Sequence, residues 1–419
     1  MTSNELQSAL PRAPQAAVLG VRRTDATERS GPPGAPPCYP SWTVRIVVDY
    51  RPALRQRSGV GEYIHHLIAA LAAGPGRHDE IVLFSSSLKH QVTLEAMAGL
   101  TVTNRRVPVR VLTRLWHQLE WPPVEMLVQG PFDVAHSPHP LLMPTRAAAR
   151  VVTVHDLDFL TNPERTEAEV RRDYPRLVRS HVERADHVVV NSAHTAGEVH
   201  QRLGVPRHQI TVCRAGAPAW ASRPTLPEHG PILFVGTLEP RKNIGGLLDG
   251  YERLLTAGRP VPELLIAGRP TPAAKAWLAR LDRPPLAGHV RHLGYVSDAE
   301  RRGLYERARL LVLPSFNEGF GLPVLEAMTV GVPVVASNRG AIPEVLGDAG
   351  PMVEPDDPEG LAEAMARMLF DRPAAERAAA RGFRRSRLFR WSASADALRE
   401  AYVHAVALRR GGSVSTRGH

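Results

Sequence analysis

The run Leu310-Leu-Val-Leu-Pro314-Ser-Phe-Asn-Glu318-Gly-Phe-Gly321-Leu-Pro323-Val-Leu-Glu326-Ala-Met328 sets the class of the whole chain. Four consecutive aliphatic residues closed by a proline fit a strand buried on both faces, as in parallel sheets. Pro323 suits the first position of a helix, because its ring already holds the helical φ and its missing N–H would lack a partner there. Gly319 and Gly321 let the backbone approach a ligand closely, and free amides at a helix start attract an anion. Glu318 in the loop and Glu326 in the early helix can accept paired bonds from vicinal hydroxyls. Together these groups describe a pocket for a phosphorylated sugar.

Working outward, short apolar strands alternate with amphipathic helical stretches along the chain. One series is predicted at Val44 to Tyr50, Ile81 to Ser85, Asp133 to Ser137, Val151 to His155, His187 to Asn191 and Ile210 to Cys213. A second follows at Ile232 to Gly236, Glu263 to Ala267, Val290 to Leu293, Leu310 to Pro314 and Pro333 to Ser337. This alternation is α/β architecture. The proline-dense stretch Ala215 to Gly230 lacks periodicity and reads as a linker between two Rossmann-like domains. Ligands of open α/β sheets sit at the carboxyl ends of strands, so the site is expected in the cleft between the domains. Residues 1–41 read as a disordered leader, 42–220 and 221–390 as the two domains, 391–410 as a last helix, and 411–419 as a disordered tail.

Just after the strand at Ile232, Phe234-Val-Gly236-Thr-Leu-Glu239-Pro-Arg241-Lys242-Asn243 is predicted to open a helix with Arg241 and Lys242 in its first turn. Cations there oppose the helix dipole, so a bound anion better explains their placement. A diphosphate would receive the arginine fork, the ammonium and helix amides together. In the first half, Ser58-Gly59-Val-Gly61-Glu62-Tyr63 offers a glycine turn to a phosphate or sugar, although it is not a dinucleotide fingerprint. Val154-His155-Asp156-Leu-Asp158 places His155 and Asp156 at a strand tip facing the cleft. The Asp156-x-Asp158 pair is a weak metal signal, and a capping role suits at least one of the two. His136 and His139 fit turn or packing roles better than a metal site. Ser192, after Asn191, is a helix N-cap before Thr195. Arg105, Arg106, Arg110 and Arg114, followed by Trp116 and Trp121, suit either an anionic interface or acceptor groove or a solvated basic strand.

Composition narrows the classes further. The chain has 419 residues and two cysteines, Cys38 and Cys213, so a disulfide framework or a cysteine zinc site is excluded and a reducing compartment fits. No apolar run approaches the roughly 18 to 20 residues that span a bilayer. Net charge is +10 with a pI near 10.2, which suggests an anionic partner. Lys89, Lys242 and Lys275 are the chain's three lysines against 49 arginines, a usage habit that lowers the weight of a nucleic-acid reading.

The pair Glu318 and Glu326 (E-x7-E), Arg241-Lys242 after Gly236, the Ser58-Gly-Val-Gly61 turn and His155-Asp156-Leu157 together resemble the family 4 (GT4) retaining glycosyltransferases of the GT-B fold, from about Val44 to Val406. The resemblance implies sugar transfer from a nucleotide-sugar donor to an acceptor hydroxyl with retained configuration and without a metal or other cofactor. It implies that Arg241 and Lys242 bind the donor diphosphate and that Glu326 holds the ribose. Glu318 and the run Gly319, Phe320, Gly321 and Leu322 would hold the donor sugar, with Gly236 beneath. Gly59 and Gly61 would close over the phosphates, and His155 with Asp156 would lie beside the transferred sugar. Tyr295 and Val296 would meet the nucleobase, and the last helix would cross back to the first domain. Cys213-Arg-Ala-Gly-Ala departs from the family's usual turn before the linker.

Arg114 to Pro122 and the Ser58-to-Tyr63 turn further resemble bacterial mannosyltransferases of O-antigen and exopolysaccharide synthesis. That implies GDP-mannose, a glycan or lipid-linked acceptor, and a cytoplasmic enzyme with peripheral contact at the anionic inner membrane face. UDP-glucose, UDP-GlcNAc or dTDP-rhamnose would use the same motifs. An NDP-sugar epimerase or hydrolase would keep both nucleotide motifs without an acceptor groove, and a non-enzymatic scaffold or nucleic-acid binder would need neither.

Overall fold

The computed structural model describes residues 43–54, 59–74, 79–88, 91–92, 100–165 and 168–411. The expectations for residues 1–41 and, apart from Gly411, for 411–419 lie outside these residues.

Two parallel sheets form. The first contains β1 (Arg45–Asp49), β2 (Glu80–Ser86), β3 (Thr101–Arg105), β4 (Val134–Ser137), β5 (Ala149–Val154), β6 (His187–Val190) and β7 (Ile210–Val212), in the order β3-β2-β1-β4-β5-β6-β7. The second contains β8 (Ile232–Val235), β9 (Leu264–Ala267), β10 (Val290–Gly294), β11 (Leu310–Leu313), β12 (Val334–Ser337) and β13 (Met352–Val353), in the order β10-β9-β8-β11-β12-β13. Every predicted strand is present within a residue or two of its expected ends. β3 and the short β13 were not in either predicted series. In each sheet the order reverses beside the first strand, between β1 and β4 and between β8 and β11, and the loops leaving the carboxyl ends of these strands splay to leave a crevice. The chain between β7 and β8 carries neither helix nor strand over residues 213–231.

The central strands of the second sheet are buried from end to end, as continuous aliphatic runs require. The last helix, Trp391–Arg409, packs on β5, β6 and β7 and on the helix Gly59–Ala72 of the first sheet. It buries Leu398, Ala401, Tyr402, Ala405 and Val406 there. Full burial of each larger side chain is worth roughly 1.5 to 3 kcal/mol, enough to fix the helix on that sheet.

Polar contacts beneath the helix are equally specific. His136 is buried in β4, 2.7 Å from the Tyr402 hydroxyl and 2.8 Å from Thr153 Oγ1. This is a packing role, not a metal ligand. Trp116 is a correction to the acceptor-groove alternative. It lies in the core under Arg51, whose guanidinium is 4.6 Å from the ring, and its indole N–H donates to the Pro122 carbonyl. Arg110 and Arg114 lie on the helix Val109–Leu119 and not on a basic strand, because Leu112 and Trp116, four residues apart, turn one helical face inward.

Burial, with the neighbouring His139 and His155, pushes the His136 imidazole down to about 3 from its usual 6.5. The unfolded chain therefore takes up a proton below pH 6.5 that the folded chain refuses, and stability falls as pH drops from 6.5 toward 3. At pH 5 this one group costs about 2 kcal/mol. A His136→Gln variant should lose less melting temperature between pH 7 and pH 5 than the parent; parallel losses would remove His136 as the cause.

Candidate active site

The loops that leave β8 and β11 meet at the switch point of the second sheet. Asn243 organises the first loop. It adopts a left-handed conformation (φ 55°), its Oδ1 accepts the Gly246 amide at 3.1 Å, and its Nδ2 donates to the Pro314 and Pro355 carbonyls. The helix Ile244–Thr256 thus starts after Asn243, and Arg241 and Lys242 occupy a 3-10 turn, Pro240–Lys242, just ahead of it. This corrects the expectation of a first-turn position. Asparagine tolerates a positive φ and caps a helix with the same side chain, so it ends the turn and starts the helix.

Lys242 Nζ lies 2.6 Å from Glu318 Oε1, which also accepts from the Ser315 hydroxyl at 2.7 Å. Arg241 reaches Glu318 Oε2 at 3.3 Å and Glu239 at 2.8 Å. Lys242 and Glu318 are both buried. Burial alone would raise the Glu318 carboxyl, but Lys242 and Arg241 outweigh it and hold the group below the usual carboxylate value. Glu326, on the helix Leu322–Val330, goes the other way. Burial raises its pKa, and Arg301 at 3.5 Å offsets that only in part.

The two sheets meet here. His155, after β5, donates from Nε2 to the Pro138 carbonyl at 3.0 Å, and burial lowers its pKa, so the ring is neutral with Nδ1 unprotonated. The Thr195 hydroxyl lies 3.3 Å from the His155 carbonyl and 3.4 Å from that of Gly319. A Cβ built on Gly319 would stand 1.9 Å from the His155 carbonyl oxygen. Gly321 holds φ at 94° as the residue that starts the next helix. Asn317 Nδ2 donates to Asp158, whose carboxylate also receives Asn162, while Asp156 accepts the Asp158 amide in a turn ahead of the short helix Asp158–Thr161, which starts from Leu157 with no side-chain cap, so neither aspartate takes the capping role expected for one of them. Ser192 caps its helix through Thr195 N as expected.

These elements enclose a cleft of about 340 Å³. Gly59, His155, Asp156, Gly236, Arg241, Lys242, Glu318 to Leu322 and Glu326 all line it. Gly61 does not. The helix begins at Gly59, so Gly61 is buried inside its first turn, whereas a Cβ at Gly59 would come 3.6 Å from Leu322 Cδ1 across the cleft. Tyr295 and Val296 also stay outside the cleft lining. They follow edge strand β10, two strands from β8, and Tyr295 is exposed beneath Arg269. Glu62, Tyr63, Asn191, Glu239 and Arg301 line the cleft without having been singled out as site residues. The first four stand inside motifs already quoted; nothing in the sequence distinguished Arg301 from Arg302. A larger groove, about 760 Å³, opens at the opposite, amino ends of the second sheet's strands, away from every motif residue.

Residues 57–218 match the family model for Glycosyltransferase Family 4, and residues 230–371 match Glycosyl transferases group 1. The Escherichia coli O-antigen chain mannosyltransferase B is 33% identical over 62% of this chain and 71% of its own length. The chain belongs to the family 4 glycosyltransferases. The glycogen synthase of Mycobacterium tuberculosis is 30% identical over 83% of this chain and 91% of its own length. Sucrose-phosphate synthase from Thermosynechococcus elongatus superposes with a TM-score of 0.68 at 20% identity, over 87% of this chain and all of the other. The lipopolysaccharide glycosyltransferase WaaG gives 0.63 at 16%, over 88% and 100%. These structures fix the fold as GT-B. The chain is a glycosyltransferase.

Because Gly319 touches the His155 carbonyl, Gly319→Ala should force the two sheets' loops apart. We expect kcat/KM to fall at least about tenfold at a temperature where the variant is still folded, with some loss of melting temperature from the clash. Unchanged kcat/KM would show that this contact does not position the site.

Proposed function

We propose that this glycosyltransferase moves mannose from GDP-mannose to a hydroxyl of a glycan or lipid-linked acceptor, with retention, in cell-surface polysaccharide synthesis. The observation that carries the reading is the pair of cations, buried Lys242 and half-buried Arg241, held at the switch point by Glu318. Mannose is supported by the O-antigen mannosyltransferases among the relatives, including the serotype-specific WbdA of Escherichia coli, 27% identical over 60% of this chain and 33% of WbdA. In this reading residues 42–220 bind the acceptor and 221–390 the donor, with 391–410 tying the two together.

The chemistry follows from the charges. The donor diphosphate shares Arg241 and Lys242 with Glu318, and the Glu326 carboxylate, whose charged form Arg301 supports against burial, receives the ribose hydroxyls. The neutral His155 ring faces the transferred sugar. No carboxylate stands out as a covalent nucleophile: Glu318 is engaged by two cations, and Asp156 accepts a backbone amide through one oxygen. We favour front-face displacement: the C1–O bond to the diphosphate breaks, the acceptor oxygen bonds C1 on the same face, and its proton passes to the leaving phosphate oxygen. Arg241 and Lys242 stabilise the charge that develops there.

Arg241→Ala and Lys242→Ala should each cost on the order of 2 to 4 kcal/mol of transition-state stabilisation, seen as a drop of about 30- to 1,000-fold in kcat/KM. Near-parental values in both would sink the assignment. The donor base is read by thermal shift: GDP should raise the melting temperature more than UDP, dTDP or ADP, equally with EDTA present. A shift with UDP and none with GDP would transfer the proposal to a uridine donor.

No helix among the described residues is long and apolar enough to cross a membrane. A lipid-linked acceptor would therefore bring the chain to the inner membrane face from outside the bilayer.

A further inference from the structure

Two neighbouring arginines on the helix Asp298–Arg307 have opposite surroundings. Ser297 and Glu300 form a capping box that fixes the helix start, so positions 301, 304 and 305 share one face. Leu304 and Tyr305 bury that face and turn Arg301 into the cleft, whereas Arg302 stands in solvent and pairs with Glu306 at 2.8 Å. The Arg301 guanidinium is half-buried over the Trp220 ring, 5.9 Å from its centroid. It reaches Asp298 at 3.1 Å, and its Nε lies 3.5 Å from Glu326 Oε1. That Nε–H is buried and makes no hydrogen bond, so it meets Glu326 at ion-pair distance only.

The carboxyl of Glu326 depends on this cation. Among the described residues, the charged and titratable groups that act on it are Arg301, Tyr305, Glu62 and Asp298. Burial favours the neutral acid, and so do Glu62, on the helix Gly59–Ala72 of the first sheet, and Asp298. Arg301 and the Tyr305 hydroxyl favour the carboxylate. The Tyr305 hydroxyl also lies 3.3 Å from the Pro323 carbonyl, which leaves Arg301 as the cation that opposes burial. A carboxylate accepts from both hydroxyls of a vicinal diol, whereas a carboxylic acid carries a proton on one of its two oxygens. A 2′-deoxyribose would leave one carboxylate oxygen without a donor in a site removed from water, and sites built around a hydroxyl reject analogues that lack it.

We propose that Arg301 is a positioning residue for donor choice: paired with Glu326, it aims an accepting carboxylate at both ribose hydroxyls, which admits ribonucleotide sugars and rejects 2′-deoxyribonucleotide sugars such as those of deoxythymidine diphosphate. The inference rests on the ribose role proposed above for Glu326. An arginine that merely packed against Trp220 would be indifferent to the 2′-hydroxyl and to pH.

The test uses the full chain and calorimetric titration with GDP, 2′-deoxy-GDP, UDP and 2′-deoxy-UDP across the range from weakly acid to neutral pH. At neutral pH the parent should bind the ribonucleotide at least about tenfold more tightly than its deoxy counterpart. Glu326 must be ionised to accept both hydroxyls, so affinity should fall as pH drops through its raised pKa. In Arg301→Leu that fall should begin about one pH unit higher, because an opposite charge this close lowers a carboxyl pKa by about 1 or more. Its preference for the ribonucleotide should shrink below about threefold. The ligand's own phosphate titrates alike in both proteins and cancels in the comparison. Arg301→Lys keeps the charge and should restore most of the preference and of the pH profile, which also separates the effect from a folding defect. Arg302→Leu, which removes an exposed charge from the same helix, should behave as the parent. Equal loss of ribo- and deoxyribonucleotide binding in Arg301→Leu, with an unmoved pH profile, would make the guanidinium a general attractor of phosphate and overturn the proposal, as would a parent that does not discriminate. The same preference and the same Arg301 effect with uridine nucleotides alone would sustain it while overturning the guanosine donor. A parent that binds none of the four overturns the donor reading and this inference together.

Discussion

A lysine ammonium and a glutamate carboxylate, removed from water 2.6 Å apart, set the terms for everything around them. Neither Lys242 nor Glu318 tolerates burial alone, and removing one member of such a pair costs about 3 to 5 kcal/mol because the other is left uncompensated. The backbone is arranged accordingly. Asn243 fixes the turn that carries Lys242 and ties it to the Pro314 carbonyl, while the Phe316 amide donates to the Arg241 carbonyl at 2.8 Å. The loops after β8 and β11 are thus pinned to each other by peptide groups as well as by charge. A low-dielectric pair of this kind is poised to respond to a doubly charged phosphate, since a new anion beside Lys242 and Arg241 changes the balance that holds Glu318 ionised.

That cluster belongs to the second sheet, and it forms a site only because the first sheet is brought to it. Gly319 lies against His155 so closely that no side chain could intervene. Glu344 accepts the amides of Ala193 and His194 and pairs with Arg214, which crosses between the sheets a second time. The last helix supplies the third tie. It begins at Trp391, which stacks on His66 and lies 5.9 Å from Tyr63, and it ends against β5 to β7. Tyr63 in turn donates to the Cys213 carbonyl and meets His155 edge-on at 5.3 Å. One aromatic residue therefore connects the chain's exit from the first sheet, its returning helix and the imidazole in the cleft. A motion that opened the cleft would have to keep or exchange these contacts, and the stacked and edge-on rings adapt to small rotations at lower cost than the pinned loops do.

What could be seen in the sequence divides along the same physical line. Strands buried on both faces must be continuous aliphatic runs, so β8, β9, β11 and β12 announce themselves. β3, with Thr101, Asn104 and Arg105 half in water at a sheet edge, need not, and β13 is two residues long. The Glu318, Glu326, Arg241 and Lys242 spacing was legible because a loop must put those groups within reach of one ligand. The turn holding Arg241 and Lys242 was not, since a basic pair before an apolar stretch looks the same whether it ends a 3-10 turn or begins a helix; only the Asn243 conformation decides. Trp116 looked like a groove residue because its neighbours are charged, yet helical spacing with Leu112 already placed both on one face. Asn191 escaped because Ser192 beside it accounted fully for that stretch as a cap. Asn191 nevertheless lines the cleft, and its Oδ1 is buried without a hydrogen-bond partner. A buried acceptor without a donor costs roughly 1 to 3 kcal/mol, and no local pattern in the sequence announces such a cost, because Asn191 reads there only as the residue before a cap.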